Sequence, residues 1–131
     1  MSEADAVLRA NETFYEAFAE GDFPAMAALW SARLPISCIH PGWEPLTDRD
    51  RIMESWRTIL TGDSAAMECR DPRLYKRDAL AWVTCFEVLE TNLLAATNIF
   101  AAEAGGWRMV HHHASPVARA VRPAGAAGAV H

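Results

Sequence analysis

A chain of 131 residues, 51% hydrophobic and 22% charged, carries enough apolar material for one buried core, so a single domain is expected. The formal net charge of -5 and the lack of any basic run disfavour nucleic acid and anionic membranes as partners. Three cysteines (Cys38, Cys69 and Cys85) are odd in number and widely spaced, which suits reduced thiols in the cytoplasm better than a disulfide framework or a zinc site.

Residues 5–20 read as a helix: Val7, Ala10, Phe14, Ala17 and Phe18 recur at three- and four-residue spacing, and Gly21 stops the run. The acidic start (Glu3, Asp5) argues against a signal peptide, and no apolar run reaches the roughly 20 residues of a membrane span. Asp22 has the chemistry of an N-cap for a second helix that carries Pro24 in its first turn and Met26, Leu29 and Trp30 behind it. Ile36 to His40 is a short strand closed by Pro41-Gly42. Thr47 begins a third helix, with Thr47-x-x-Asp50 resembling a capping box, Ile52, Trp56, Ile59 and Leu60 as the apolar stripe, and Gly62 suited to C′.

From Ala66 the period changes. Met67 to Tyr75, Ala79 to Glu90, Leu93 to Ala102 and Trp107 to Val117 read as four strands, and their short connections imply antiparallel neighbours. Three helices followed by a meander is an α+β arrangement in which the helices cover one face of a curved sheet and wrap a cavity. The other sheet face is apolar enough that pairing with a second copy is expected. Residues 1–121 form the domain on this reading, and residues 122–131, rich in Pro, Gly and Ala, form a flexible tail.

Strict alternation along the last strand puts Trp107, Met109, His111, His113 and Ser115 on one face, which reads as the floor of a pocket, and turns His112 the other way. The opposite register would bring Arg108, Val110 and His112 inward. His111 and His113 are therefore the leading candidates for proton transfer. His-x-His is also a metal-ligand spacing, but a third donor, His40 or Glu87, would be needed, and neither a metal nor a cofactor is expected. Glu87 shares a strand face with Val83, Cys85 and Leu89, where a carboxylate is costly unless paired or protonated; facing the cavity it would be a base with a raised pKa. Asn98 is a poor strand residue, so its presence implies a hydrogen-bonding duty to a ligand or to a neighbour such as Glu87. The five tryptophans include Trp30 and Trp56 as candidate pocket walls and Trp43 as a candidate lid in the Pro-rich loop after His40. His40 and Cys85 complete the candidate ligand-binding set.

Several of these features occur together in one known family. The segment Phe14-Tyr15-x-Ala17-Phe18-x-x-Gly21-Asp22, the turn His40-Pro41-Gly42-Trp43, the pair Ser55-Trp56 and the closing Gly106-Trp107-Arg108-Met109-Val110-x-x-His113-x-Ser115 resemble the SnoaL-like branch of the nuclear transport factor 2-like superfamily. Closer still, they resemble its bacterial members related to the association domain of calcium/calmodulin-dependent kinase II. The resemblance covers roughly residues 4–117. It implies a cone-shaped, cystatin-like roll, with three helices on the concave face of a curved antiparallel sheet, a homodimer and a pocket within the cone. Chemistry does not follow from it, because the superfamily holds both enzymes and non-catalytic modules. Three functions stay open: a domain that binds an apolar or aromatic small molecule; a cofactor-free isomerase, cyclase or dehydratase using His113 or His111 with Glu87; and a dimeric interaction module.

Overall fold

The computed structural model describes residues 2–62 and 66–118; the expected domain limit at residue 121 and the tail beyond it lie outside the described residues. The order is α1 (Glu3–Glu20), α2 (Phe23–Leu29), β1 (Ser37–Ile39), α3 (Arg49–Thr61), β2 (Met67–Arg77), β3 (Leu80–Leu89), β4 (Asn92–Glu103) and β5 (Gly106–Pro116). Three helices and a five-stranded sheet make the α+β class expected from the periodicities.

Local chemistry accounts for the helix ends. Ser2 and Asp5 form a reciprocal capping box at the start of α1. Gly21 ends that helix in the left-handed conformation (φ 65°), and a Cβ there would meet the Leu60 carbonyl oxygen at 3.0 Å, so glycine is required for space as well as for φ. Asp22 caps α2 as expected, accepting from the Ala25 N–H at 3.1 Å. The cap of α3 is Asp48 rather than Thr47: its carboxylate accepts from the Arg51 N–H at 3.1 Å, so Thr47-x-x-Asp50 is not the capping pair. Gly62 follows α3 with an extended backbone (φ -78°, ψ -174°), so it is not a left-handed C′ residue.

The sheet order is β1-β5-β4-β3-β2. β2 to β5 form the expected antiparallel meander, while β1 adds in parallel to the free edge of β5, pairing Ser37 with His111, Cys38 with His112 and Ile39 with His113. The helices cover the inner face, where Phe14 of α1 and Ile52 and Trp56 of α3 meet Val83, Phe100 and Met109 in one core. Truncating a fully buried aromatic there would cost about 3–5 kcal/mol.

One irregularity decides which side chains point inward. Phe100 pairs with Met109, but Ile99 pairs with His111, so Val110 is an extra residue: a β-bulge. Alternation restarts beyond it. Trp107 and Met109 are buried, as expected for the inner face; after the bulge His112 and Ala114 are buried, while His113 and Ser115 are exposed. The expected shared face of Trp107, Met109, His111, His113 and Ser115 is therefore corrected: an uncounted residue shifts the period by one and turns His111 and His113 to the outer face. The opposite register fails as well, since Met109 stays inside.

Candidate functional site

A cluster of buried polar side chains occupies the inner face, drawn from α1 and from three neighbouring strands. Asn11 and Tyr15 lie one helical turn apart on the buried side of α1. Cys85 and Glu87 project inward from β3, Asn98 from β4 and His112 from β5; Asn11, Glu87, Asn98 and His112 are each no more than 3% exposed. Burial is possible because the groups satisfy one another. The Tyr15 hydroxyl donates to Glu87 Oε2 at 2.6 Å and lies 3.2 Å from Cys85 Sγ. The Asn98 amide donates to Asn11 Oδ1 (2.9 Å) and to the Tyr15 oxygen (3.1 Å). Its own carbonyl oxygen is 2.6 Å from His112 Nδ1, so that nitrogen carries the proton. In a neutral ring His112 Nε2 is then the bare acceptor, 4.0 Å from Glu87 Oε2.

The electrostatics follow from burial. Loss of water raises the Glu87 carboxyl from 4.5 to about 7, an effect only partly offset by the Tyr15 hydrogen bond. Burial likewise lowers His112 from 6.5 to about 3, with the nearby His40 adding to the effect. The Tyr15 hydroxyl is held well above its usual range, first by burial and then by Glu87. Near neutral pH the centre thus holds a neutral imidazole beside a carboxyl balanced between its two states.

Aromatic rings wall the cluster. Phe14 and Trp56 lie 4.8 and 5.8 Å from the His112 ring, centroid to centroid. His40, from the end of β1, sits 4.8 Å from Trp56 and 6.5 Å from His112. The Ser55 hydroxyl gives its proton to the Ile52 carbonyl and takes one from His40 Nε2 at 2.8 Å. Burial lowers His40 to about 4, so it too is neutral. The indole N–H of Trp56 is buried without a hydrogen-bond partner.

Of the residues singled out from sequence, Glu87, Cys85 and Asn98 share the cluster, and His40 and Trp56 adjoin it. Trp43 is 49% exposed and packs edge-on against His40 at 4.9 Å, at the rim rather than within. Trp30 is buried where its backbone bridges Met109, and none of the described ring contacts joins it to the cluster. His111 and His113 lie on the other side of the sheet. His111 is 2.7 Å from the Ser37 hydroxyl, and His113 lines an outer depression of about 460 Å³ with Arg73, Thr84, Phe86 and Thr97. They cannot act with Glu87 across the sheet. Among the described residues no group of three or more His, Cys, Asp or Glu side chains is arranged to hold a metal ion.

Sequence reasoning missed Asn11, Tyr15 and Cys69 and turned His112 outward. A signal existed for the first two: Asn11 and Tyr15 fall at i+4 and i+8 from Val7, inside the apolar stripe of α1. A groove of about 750 Å³ between α1 and β2 reaches Asn11, Tyr15 and Cys69 from outside.

A five-stranded curved sheet with helices on one face is shared with many solved proteins. The SnoaL-like domain family matches residues 7–119, and the chain belongs to that family. The fold is that of the NTF2-like proteins. A candidate dehydratase of the NTF2-like family from Streptomyces avermitilis is 31% identical and superposes with a TM-score of 0.83 over 89% of this chain and 97% of that one. A candidate calcium/calmodulin-dependent protein kinase type II association domain from Thiobacillus denitrificans is 29% identical, with a TM-score of 0.73 over 82% and 92% of the two chains. The F-box protein SKIP8 of Arabidopsis thaliana is 27% identical over 113 residues, or 84% of this chain and 49% of that protein. The chain thus spans about half the length of the curated relative it matches.

Proposed function

We propose that this domain binds a small, uncharged organic molecule at the Tyr15–Glu87–Asn98–His112 cluster. The observation that carries the reading is a carboxyl raised to about 7, 4.0 Å from the bare nitrogen of a neutral histidine, with both groups on the helix-covered face of the sheet. On this reading a ligand oxygen would accept from protonated Glu87 or donate to His112 Nε2, both of which are buried in the ligand-free chain. The cluster holds no permanent cation, and the walls are Phe14 and Trp56, so an apolar ring bearing a hydroxyl or carbonyl fits better than a carboxylate or phosphate. Native mass spectrometry of the purified protein, with a melting-temperature screen against alicyclic and aromatic hydroxyketones, tests this. A retained organic molecule, or stabilisation by members of the panel, is expected. A ligand-free protein that no panel member stabilises overturns the reading.

A second reading adds catalysis. The Streptomyces avermitilis relative is described as a candidate dehydratase, and a carboxyl that changes state near neutral pH suits proton transfer. On this reading Glu87 in its ionised form takes a proton from the carbon beside a carbonyl, and the β-hydroxyl leaves as water with a proton returned to it. Under either reading the outer sheet face, with half-buried Trp82, Phe86 and Ile99, pairs with a second copy, and neither His111 nor His113 takes part in the inner chemistry.

A further inference from the structure

His111 and His113 lie outside the inner cluster, and His113 stands at one end of a trough on the outer face of the sheet. Strand register builds this trough. Arg73 of β2 pairs with Thr84 of β3, Thr84 with Thr97 of β4, and Thr97 with His113 of β5, so these polar side chains form one row across β2 to β5. The row on one side holds Tyr75, Trp82 and Ile99; the row on the other holds Phe86, Ala95 and Ser115. Short threonines and Ala95 between the taller Trp82 and Phe86 leave a depression of about 460 Å³.

Backbone irregularities aim both ends of the row. In β2 the pairing slips between Arg70 and Arg73, which face Phe86 and Thr84, so one extra residue keeps both guanidinium-bearing side chains on the outer face; Asp71, inside that bulge, has φ 54°. In β5 the bulge at Val110 turns His113 outward.

The groups that face the trough are not spent on one another. No hydrogen bond among the described residues uses the side chain of Thr84, Thr97, His113 or Ser115. Arg73 meets Asp71 at 3.4 Å, but the two side chains are 68% and 54% exposed, so water screens the pair and it exchanges readily. Arg70, farther along β2, is held by Glu68 at 2.7 Å. The trough therefore offers one loosely held guanidinium, one nearby carboxylate and several neutral donors. That balance suits a single negative charge, since a dianion would face Asp71 without a second cation. The strands that carry Arg73 and His113 are three spacings apart, about 14 Å at about 4.8 Å per spacing. Side chains leaning in from both ends leave room for one aromatic ring on a short acid arm.

We infer that this outer trough binds a small aromatic monocarboxylate. Arg73 takes the carboxylate in a two-point fork. The ring lies over the Thr84 and Thr97 methyl groups between Trp82 and Phe86, and His113 and Ser115 meet a hydroxyl at the far end. A second copy resting on Trp82, Ile99 and Phe86 would span the trough rather than fill it, so pairing through this face is compatible with an occupied trough.

The test is titration of the whole chain with para-hydroxyphenylpropionate, read by calorimetry and NMR, with its methyl ester as the uncharged control. Saturable binding of the acid is expected, with shifts at Thr84, Thr97 and His113 and none at His112. Arg73→Gln, on an exposed side chain, should weaken binding about tenfold, and Arg73→Lys should recover only part of it, because an ammonium keeps the charge without the fork. Asp71→Asn should tighten binding about threefold by removing the competing carboxylate. Absence of binding in both the parent chain and Asp71→Asn overturns the site. Equal affinity for acid and ester overturns the ligand class, and full affinity in Arg73→Gln overturns the placement. The acid is an anion and the hydroxyketones of the inner site are not, so either claim can fail without the other.

Discussion

The Tyr15 hydroxyl donates a 2.6 Å hydrogen bond to Glu87 Oε2, joining the buried side of α1 to the inner face of β3. The same oxygen accepts from Asn98, so one phenol closes the cluster on two sides. Tyr15→Phe keeps the ring and its packing but leaves Glu87 and the Asn98 amide each short of a partner. A loss of about 1–3 kcal/mol is expected in urea unfolding. Because the Tyr15 bond lowers the Glu87 pKa, its removal should also move the carboxyl titration further up, measurable by carbon-13 NMR of the labelled glutamate.

Stability should depend on pH with a definite sign. His40 and His112 have folded pKa values of about 4 and 3, below the usual 6.5, so the unfolded chain binds more protons and their contribution is lost as pH falls below about 6.5. Glu87 acts in the opposite direction: its folded pKa of about 7 exceeds the usual 4.5, so its contribution is present at acid pH and is lost as pH rises from about 4.5 to 7. Two histidines outweigh one carboxyl, and net stability should rise from pH 4 to about 6.5. In Glu87→Gln the opposing term is gone, and chemical denaturation across this range should show a steeper rise. An unchanged slope would mean that Glu87 titrates normally.

The bulge at Val110 predicts opposite fates for adjacent histidines. His112→Ala removes a buried ring and leaves the Asn98 carbonyl without its donor, at a cost of about 2–3 kcal/mol. His113→Ala, on the exposed face, should stay within about 0.5 kcal/mol when compared at concentrations where the chain is monomeric. Equal losses at the two positions would place the bulge elsewhere.

Helix capping gives a similar contrast. Asp48→Ala should cost about 1 kcal/mol through the lost bond to the Arg51 N–H, and Thr47→Ala should cost little. Thermal unfolding of the two variants side by side checks this.

These contrasts mark where the sequence was legible. The helical stripes of α1 and α3, the Asp22 cap and the period-two runs of β2 to β5 are local signals, and the elements follow them within a few residues. Glu87, Cys85 and Asn98 were readable because a polar residue on an apolar strand face has few inexpensive roles. The placement of His111 and His113 was not readable. A bulge needs no glycine or proline to announce it, and Val110 is an ordinary strand residue; its presence shows only in the pairing with β4. The parallel partnership of β1 with β5 was hidden as well, because a three-residue strand carries too little pattern to name its neighbour. Neighbouring residues on adjacent strands and α1 built the cluster, so Tyr15 and Asn11 could be assigned only once α1 was packed against the sheet.

The account is tested most directly by side-chain nitrogen-15 NMR of the histidines during titration with the hydroxyketone panel. The expected result is a neutral His112 protonated on Nδ1 from pH 5 to 8, whose Nε2 signal moves on addition of a binding compound and stops moving in Glu87→Gln, while His113 is unaffected. Ligand-induced shifts confined to His111 and His113, with His112 unmoved, would contradict it.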